Sequence, residues 1–470
     1  MNILHTSFEC YPIAKVGGLA DVVGALPKYQ NNVGVTASII TPYYDNQFNS
    51  TSRRKSIYKN TIHLGDTSYR YSIEKILSPQ LGFEAYRVYI KGLLDRPNVY
   101  NYDDDAERCI AFQLAVLDWI TNTDNIPDII HCHDHHTGLI PFLVSHCDQF
   151  AKLQKTPTVL TIHNAQYQGQ LSYDKLHYLP PFDHNKIGLL DWSNCINPLA
   201  SGIKCAWRVT AVSPTYMQEL QQKANGLEQL LRHEKKKCIG ILNGIDTHTW
   251  NTETDPMIIK NYKETTVVSG KKENKKWICN HFGLDINKPL FGFIGRLVEE
   301  KGADLLPEII RETLTNFDCS IVVLGSGNLE VEEELQSLIN EFTGKYNTHI
   351  GYDERLSHII YAGVDFLLMP SRVEPCGLNQ LYALRYGTVP ITRKTGGLKD
   401  TVIDIGENGF GICHENTSVW DVCYSIQRAI NLYEDQQKYR GIQHQIMKID
   451  HSWSQSAHQY ITIYESLTNQ

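Results

Sequence analysis

Long apolar runs are missing from this chain. No stretch of roughly eighteen consecutive apolar residues occurs, which excludes a membrane-spanning helix. The first residues enter an apolar strand pattern directly, without the basic and apolar segments of a signal peptide or the Arg- and Ser-rich pattern of a transit peptide. We therefore expect a cytoplasmic protein with no membrane partner.

A disulfide framework and an excess of positive charge are missing as well. The twelve cysteines are scattered, and most lie in apolar runs, which predicts reduced core residues. The 44 basic and 52 acidic residues give a net charge of −8, so the chain as a whole offers no footprint for a nucleic acid. Low-complexity segments and short repeats are absent, and the ordinary apolar content of 42% argues against disorder.

Two domains are predicted from length and from the order of strands and helices. The 470 residues exceed the size of one ordinary core, about 250–300 residues. In the first half, each predicted strand runs into a polar or glycine-bearing loop, and Leu19, Val22, Val23 and Leu26 mark a helix after the first strand. The predicted strands are residues 3–7, 35–41, 128–133, 158–163, 208–213 and 238–242. This alternation predicts an α/β protein with a doubly wound parallel sheet.

The second half repeats the layout. Its predicted strands are residues 290–294, 320–324, 349–351, 364–369, 389–392 and 410–413. Residues 251–276 are polar and Lys-rich, and we interpret them as the connection between domains. Residues 46–78 form a polar excursion with weak hairpin character. The domains are predicted as 1–246, 247–452 and a C-terminal helix, 453–470, packing back on the first domain.

A ligand-facing carboxylate is predicted at Glu374. The apolar strand 364–369 ends at Pro370, a charged loop follows, and a helix is predicted to begin near Gly377. Loops at the carboxyl ends of parallel strands face the ligand crevice in doubly wound folds. Two such domains predict a cleft lined by these loops, and we expect the chemistry there.

Two glycine pairs precede predicted helices. Gly17 and Gly18 follow the mobile cation Lys15, and Gly396 and Gly397 follow a later strand. Backbone N–H groups and the positive end of a helix suit an anion, and two helix ends with a lysine could hold about two to three negative charges, typical of a diphosphate. A single pair, however, is equally well explained as a tight turn.

Arg296 and Lys301 follow the first strand of the second half. A guanidinium and an ammonium together suit a departing diphosphate. The alternative is a solvated pair at a helix start, but cations are disfavoured there, so we favour a function. The lysines at 235–237 and at 271, 272, 275 and 276 are interpreted as solvated faces.

A run of histidines lies at residues 131–136. On a strand, His131 and His133 point to one face, and the distant second ligand pair of known zinc motifs is absent. We therefore expect no metal site and interpret Asp134 as a hydrogen-bond acceptor at a strand end. His163 ends another strand and is either structural or ligand-facing. Tyr352 is placed to stack on a base, or else packs at a rim.

The ordered motifs resemble those of bacterial glycogen synthases and plant starch synthases. They are KVGGLADVVGALP at 15–27, HCHD at 131–134, TIHN at 161–164, VSP at 212–214, LNGID at 242–246, GRL at 295–297 with KG at 301–302, PSRVEPCGL at 370–378 and TGGLKDT at 395–401. They span nearly the whole chain in order. Two departures are KANGLEQ at 223–229, where the family has Gly-x-Gly-Leu-Asp-Gly, and LGSGN at 324–328, where Asn328 replaces a family Asp.

The resemblance implies a GT-B fold and a retaining, metal-independent transfer of glucose from ADP-glucose to the non-reducing end of an α-1,4-glucan such as glycogen, without a cofactor. It implies catalytic roles for Glu374, Arg296, Lys301, His163 and Asp134, and an acceptor contact for Glu9. The implied donor-binding residues are Lys15, Gly17, Gly18, Asp21, Asn243, Tyr352, Cys376, Gly377, Leu378, Thr395, Gly396 and Gly397. Retention by same-face attack is implied, with Glu374 a stabiliser.

Three alternatives stay open from the sequence. The first is that the donor is UDP-glucose in place of ADP-glucose, since contacts to the base cannot be read from residue order. The second is that the enzyme is a phosphorylase with pyridoxal phosphate, for which no motif is visible. The third is that the chain is a catalytically inactive glucan-binding paralogue; the complete set of Lys15, Arg296, Lys301 and Glu374 argues against it.

Overall fold

The computed structural model describes residues 1–123 and 126–468, apart from the side chain of Gln80. The chain forms two compact units. The first comprises Met1–Asn243 together with the chain from Trp453, and the second comprises Gly244–Ser452. No helix among the described residues is both long enough and apolar enough to cross a membrane.

The strands are β1 Asn2–Thr6, β2 Thr36–Pro42, β3 Arg54–Leu64, β4 Thr67–Ile76, β5 Glu84–Ile90, β6 Ile129–His133, β7 Thr158–Ile162, β8 Arg208–Ala211, β9 Cys238–Gly240, β10 Leu290–Leu297, β11 Ser320–Gly327, β12 Tyr346–Ile350, β13 Phe366–Met369, β14 Val389–Arg393 and β15 Ile412–His414.

The α-helices are α1 Gly18–Asn32, α2 Gln47–Thr51, α3 Asp105–Thr121, α4 Ile140–His146, α5 Pro198–Cys205, α6 Pro214–Leu220, α7 Glu228–His233, α8 Val267–Phe282, α9 Leu306–Asn316, α10 Leu329–Glu341, α11 Glu354–Gly363, α12 Asn379–Arg385, α13 Gly396–Thr401, α14 Val419–Glu434, α15 Gln436–Ile446 and α16 Trp453–Thr468.

The first unit is built on one sheet in the order β3-β4-β5-β2-β1-β6-β7-β8-β9. From β5 to β9 neighbouring strands are parallel, whereas β3 and β4 add an antiparallel edge. The apolar face of α1 and the aromatic side chains of α16 share a core cluster with Ile3, Ile129 and Val159. The C-terminal helix is therefore an integral part of this unit.

The second unit has a six-stranded parallel sheet in the order β12-β11-β10-β13-β14-β15. Its largest cluster combines β10, β11, β13 and β14 with α9 and α14. Strand order reverses between β10 and β13 here, and between β1 and β6 in the first unit. Doubly wound sheets bind ligands outside the carboxyl ends of the strands at such a reversal. The predicted α/β class with doubly wound sheets is confirmed.

Several sequence-based expectations were wrong. Residues 46–78 do form a hairpin, but not a weak one, because β3 and β4 pair along their length with one register shift between Ser56 and Tyr58. Strand β5 and helix α3 escaped prediction. Residues 251–276 are not a simple connection either, since α8 begins at Val267 and packs within the second unit.

Lys271 and Lys275 are buried and not solvated. Lys271 Nζ donates to the carbonyl oxygens of Tyr361, Ala362 and Tyr386 at 3.2–3.3 Å, and burial lowers its pKa to about 7. Lys275 Nζ lies 2.7 Å from Asp365 Oδ2. Both lysines therefore belong to the interior of the second unit. A hydrophobicity pattern cannot predict this, because it assigns lysines to the surface.

Candidate active site

The loop between β1 and α1 closes around Glu9. Its buried carboxylate accepts hydrogen bonds at Oε2 from the backbone N–H groups of Val16 at 2.6 Å and Gly17 at 2.8 Å. Tyr100 OH donates to Oε1 at 2.7 Å. The Gly17 N–H, expected to approach an anion, is thus engaged by Glu9, and the carboxylate fixes the conformation of the glycine loop.

Lys15 extends beyond this loop. Its Nζ lies 2.8 Å from Asp21 Oδ1, in the first turn of α1, and 5.4 Å from the centroid of the Tyr11 ring. A Cβ atom placed on Gly17 or Gly18 would meet no atom within 4 Å. Packing within the protein therefore does not require glycine here, and open space lies against the start of the helix.

Asp134 follows β6 with a positive φ of 57°. Its Oδ1 accepts from the backbone N–H of His163 at 2.7 Å and of Asn164 at 3.4 Å, joining the ends of β6 and β7. Burial raises the pKa of Asp134 to about 7, the negative charge of Glu9 adds to the rise, and the two backbone donors oppose it. The expected role as a strand-end acceptor agrees with this geometry, and the carboxyl can exchange a proton near neutral pH.

His163 Nε2 lies 2.9 Å from His133 Nδ1, and the residue is 8% exposed. His5, on the neighbouring strand in register with His131, lies with His133 in the same buried cluster. The rings of His131 and His133 stack at 4.4 Å between centroids, so both point to one face as alternation predicts. Burial lowers the pKa of His5 to about 4 and of His163 to about 3, and lowers those of His131 and His133 well below their usual range.

We expect acidification to destabilise the protein through these four histidines. Below about pH 6.5 the unfolded chain takes up protons that the folded histidines accept only near pH 4 or lower, so stability is lost as pH falls through this window. Each histidine lowers the free energy of unfolding by about 1.4 kcal/mol for each unit by which the pH falls in this window. Asp134, with its raised pKa, has the opposite effect and raises the free energy of unfolding as the pH falls from about 7 to 4.

From pH 7.5 to 5.5 the four histidines and Asp134 alone should give a loss on the order of 3 kcal/mol, and His135 and His136, whose pKa values burial also lowers, add to it. Urea denaturation at the two pH values measures it. His131→Asn should flatten the dependence, whereas His233→Gln, which changes a side chain 83% exposed, should leave it unaltered. A free energy of unfolding equal at both pH values would contradict the neutral state of the buried histidines.

Asn243 ends the first unit. The residue is 8% exposed, and its Oδ1 is buried without a hydrogen bond to any described residue. A buried acceptor without a partner is uncommon and is stabilised by any ligand that donates to it. This observation is compatible with the donor-binding assignment.

Lys301 and Glu374 form a close pair in the second unit. Lys301 Nζ lies 2.6 Å from Oε1 and 2.7 Å from Oε2 of Glu374, whose side chain is 6% exposed. Ser371 Oγ donates to Oε2 at 3.0 Å. The ammonium expected on a phosphate and the carboxylate expected on a sugar thus neutralise each other here, and Ser371 fixes the carboxylate.

Arg296, in contrast, is 55% exposed and only loosely paired, with Nη2 at 3.4 Å from Glu300 Oε2. Its guanidinium lies at the carboxyl end of β10, beside the reversal of strand order. Tyr352 follows β12 with 76% of its surface exposed. The second unit therefore presents a guanidinium and an aromatic ring to solvent at the ends of its strands.

The second glycine pair supports the backbone of the Glu374 loop. A Cβ on Gly396 would lie 1.9 Å from the Glu374 carbonyl oxygen, and one on Gly397 would lie 2.2 Å from that of Cys376. Thr395 precedes the pair as the residue before α13. Gln380 Nε2 donates to the carbonyl oxygens of Cys376 at 3.0 Å and Gly377 at 2.9 Å. The loop from Glu374 to Leu378 is thus held from two sides.

Gly396→Ala should destabilise the second unit by about 2–4 kcal/mol, because the added methyl meets a carbonyl oxygen and φ is +45°. Gly441→Ala provides the matched control, since its Cβ would meet nothing within 4 Å inside α15 and should stabilise the helix by up to about 1 kcal/mol. Thermal unfolding of both variants measures the difference. Equal stability of the two would mean that the loops are not in contact.

The two departures from the family pattern have local explanations. Asn328 caps α10, with its Oδ1 accepting from Glu330 N at 2.9 Å and Val331 N at 3.2 Å. The segment 223–229 contains Asn225 and Gly226 with positive φ, and Glu228 Oε2 accepts from the N–H of Gly226 at 3.1 Å. In each case the polar side chain secures its own loop.

Sequence reasoning missed the residues that orient the others. Ser371 lies within the recognised motif, three positions before Glu374. Tyr100 donates to Glu9 from a segment without a recognised pattern. Gln30 on α1 contacts His5, and Tyr464 on α16 contacts His131. Neither residue was given a role from the sequence alone. A polar residue on the buried face of α1 was the available signal for Gln30.

Comparisons with known proteins agree with this architecture. Residues 2–233 match the family model of the starch synthase catalytic domain, and residues 274–441 match that of glycosyl transferases group 1. The chain is 52% identical to a glycogen synthase of Flavobacterium johnsoniae, over the full length of both. It belongs to the glycogen synthase and starch synthase family. The protein is accordingly a glucosyltransferase with the GT-B fold.

Other relatives support the same assignment. The chain is 38% identical to a glycogen synthase of Bacillus cereus, with 99% of this chain and the whole relative covered. Among solved structures, it is similar to the catalytic domain of starch synthase IV from Arabidopsis thaliana bound to ADP and acarbose, with a TM-score of 0.91, 33% identity and 100% and 99% of the two chains covered.

Proposed function

We propose that this glycogen synthase family member transfers glucose from ADP-glucose to the non-reducing end of an α-1,4-glucan with retention of configuration. The observation that carries the proposal is the Lys301–Glu374 pair, with Arg296 exposed beside it at a reversal of strand order. The ADP bound to starch synthase IV favours the adenine nucleotide.

Arg296 and Lys301 are assigned to the departing diphosphate. Breaking a glucosyl–phosphate bond leaves negative charge on phosphate oxygens, and cations placed in advance stabilise it without reorganising. Lys301 must then exchange part of its contact with Glu374 for phosphate oxygen. Lys15, Gly17, Gly18, Asp21 and Asn243, together with Thr395, Gly396 and Gly397, are proposed to bind the remainder of the donor, and Tyr352 to stack on its base.

Glu374 is assigned to stabilise positive charge at the anomeric carbon. Both carboxylate oxygens are already hydrogen-bonded, to Lys301 and to Ser371. Such contacts lower the nucleophilicity of a carboxylate, which favours same-face attack by the acceptor over a covalent intermediate. Cys376, Gly377 and Leu378 continue its loop and are proposed to approach the sugar.

The first unit is assigned the sugar hydroxyls and the acceptor. His163 and Asp134 lie at adjacent strand ends, joined by a hydrogen bond of 2.7 Å from the His163 backbone N–H to Asp134 Oδ1. His163 offers a neutral imidazole and Asp134 a carboxyl that titrates near neutral pH, so both can hydrogen-bond to hydroxyl groups. Glu9, at the start of the glycine loop, is proposed to face the acceptor glucan.

Donor choice tests the proposal. Glycogen is incubated with ADP-glucose or UDP-glucose at equal concentration, and release of ADP or UDP is measured with incorporation into polymer. We expect ADP-glucose to be used at least about tenfold faster, which corresponds to about 1.4 kcal/mol of discrimination. Preference for UDP-glucose would overturn the donor assignment, and incorporation from neither donor would indicate a glucan-binding paralogue.

A further inference from the structure

The buried histidines form part of one continuous chain of hydrogen bonds, here called the Gln30 network. Its members are His5, Gln30, His131, His133, Thr161, His163, Thr210 and Tyr464. All are fully buried except His163, which is 8% exposed. The network thus begins at a proposed substrate contact and runs into the core of the first unit.

One arm connects Gln30 with His163. His5 Nε2 lies 2.8 Å from Gln30 Oε1, and His133 Nε2 lies 3.0 Å from His5 Nδ1. His163 Nε2 lies 2.9 Å from His133 Nδ1. His163 Nδ1 makes no hydrogen bond to any residue in the described ranges, so it is the atom left for a ligand.

The direction of this arm follows from its first member. Gln30 Oε1 only accepts, so His5 carries its proton on Nε2. A neutral imidazole with Nε2–H has a bare Nδ1, which makes His133 the donor to His5, and the same step makes His163 the donor to His133. Burial lowers the pKa of all three, in agreement with neutral rings. His163 Nδ1 is then a hydrogen-bond acceptor.

The second arm begins at the amide N–H₂ group of Gln30. Gln30 Nε2 donates to Tyr464 OH at 3.2 Å, and Tyr464 OH lies 2.7 Å from His131 Nδ1. His131 Nε2 lies 2.6 Å from Thr161 Oγ1, which lies 2.6 Å from Thr210 Oγ1. With the Gln30 N–H₂ group toward Tyr464, the Tyr464 hydroxyl accepts from the amide and donates to His131 Nδ1, and His131 Nε2–H donates to Thr161. Turning the amide over would reverse every proton and make His163 Nδ1 a donor.

We propose that Gln30 is a positioning residue that sets the tautomer of His163 through His5 and His133, so that Nδ1 accepts a hydrogen bond from a donor-sugar hydroxyl. Tyr464, on the C-terminal helix, accepts the hydrogen bond of the Gln30 amide N–H in this orientation. The contact with the sugar rests on the proposed function. The tautomer itself depends only on the protein.

A metal ion is the competing interpretation of the cluster. One ligand atom from each of His5, His131 and His133 lies within 4.8 Å of the others. Every nitrogen of these rings, however, already has a hydrogen-bond partner among the described residues. An ion would have to break several of those bonds, so the network accounts for the cluster more completely.

Nitrogen chemical shifts of histidine rings test the proposal directly, because protonated and bare ring nitrogens differ widely. The whole protein is labelled with ¹⁵N-histidine, and signals are assigned by single substitutions. In the wild type we expect Nε2–H on His5, His133 and His163. Gln30→Met and Tyr464→Phe should each give mixed tautomers at His163, whereas Thr210→Val, at the far end of the other arm, should leave it unchanged.

Activity provides the second measurement. In Gln30→Met and Tyr464→Phe, His163 Nδ1 no longer accepts reliably from the sugar hydroxyl, which weakens one neutral hydrogen bond. We expect kcat/KM for the nucleotide sugar to fall by about threefold to tenfold in these two variants and to change little in Thr210→Val. Nδ1–H on His163 of the wild type would overturn the proposal, as would an unchanged tautomer in both variants. A shift in Thr210→Val equal to the others would also overturn it, because it would indicate general loosening. Correct tautomers in a protein without transferase activity would instead refute the proposed function.

Discussion

Arg296→Ala is expected to lower kcat for glucosyl transfer by about a hundredfold to a thousandfold without reducing stability. Removing one preorganised charge from a developing anion has effects of this size. The guanidinium is 55% exposed and only loosely paired, so the fold does not depend on it. Steady-state rates with ADP-glucose and glycogen, and thermal unfolding of the same samples, measure the two effects.

Lys301→Ala provides the informative contrast. It should lower kcat to a similar degree, and it should also destabilise the protein by about 3–5 kcal/mol, because Glu374 is left as a buried charge without its partner. Arg311→Ala is the control, since it removes a guanidinium of the same unit that pairs with three exposed carboxylates. Wild-type rates in both Arg296→Ala and Lys301→Ala would refute the leaving-group assignment.

Glu374→Gln is expected to lower kcat by about a hundredfold or more, with a smaller change in KM for the donor. The amide keeps the shape of the side chain but loses the charge that stabilises an electron-poor anomeric carbon. Ser371→Ala keeps the charge and should cost about tenfold or less, since it removes one neutral donor. Initial rates over a range of donor concentrations separate the two parameters.

The same position distinguishes a stabiliser from a nucleophile. If Glu374 formed a covalent intermediate, azide added to Glu374→Ala would enter the cavity and yield a glucosyl azide. We expect no such product, because both oxygens of Glu374 are already occupied by hydrogen bonds. Recovery of activity as glucosyl azide would contradict the assignment and favour two-step displacement.

The alternation of strands and loops was readable because parallel strands are short apolar runs that end in polar residues. Asp134, His163 and Glu374 were singled out in this way, because Asp134 directly follows a predicted strand, His163 ends one and Glu374 lies in the loop after one. The positions of Lys301 and Glu374 were predicted, but their mutual contact was not, because pairing depends on rotamers that residue order does not encode.

The errors have a common physical cause. Lys271 and Lys275 are charged residues inside a core, stabilised by carbonyl oxygens and by Asp365, all distant in sequence. Gln30 and His5 are likewise buried because each hydrogen-bonds to a partner on another element. The polarity of a residue predicts its exposure correctly only where no such buried partner exists. Whether a partner exists depends on the folded structure and cannot be read from neighbouring residues.

The linkage formed from a labelled donor tests the central claim most directly. ADP-[¹⁴C]glucose is incubated with a defined maltooligosaccharide, and the product is examined for its length, for the position of the label and for the configuration of the new bond by NMR. The account predicts one ADP per glucose added, with an α-1,4 bond at the non-reducing end. A β-linked product, label at the reducing end, or release of ADP with free glucose alone would contradict it.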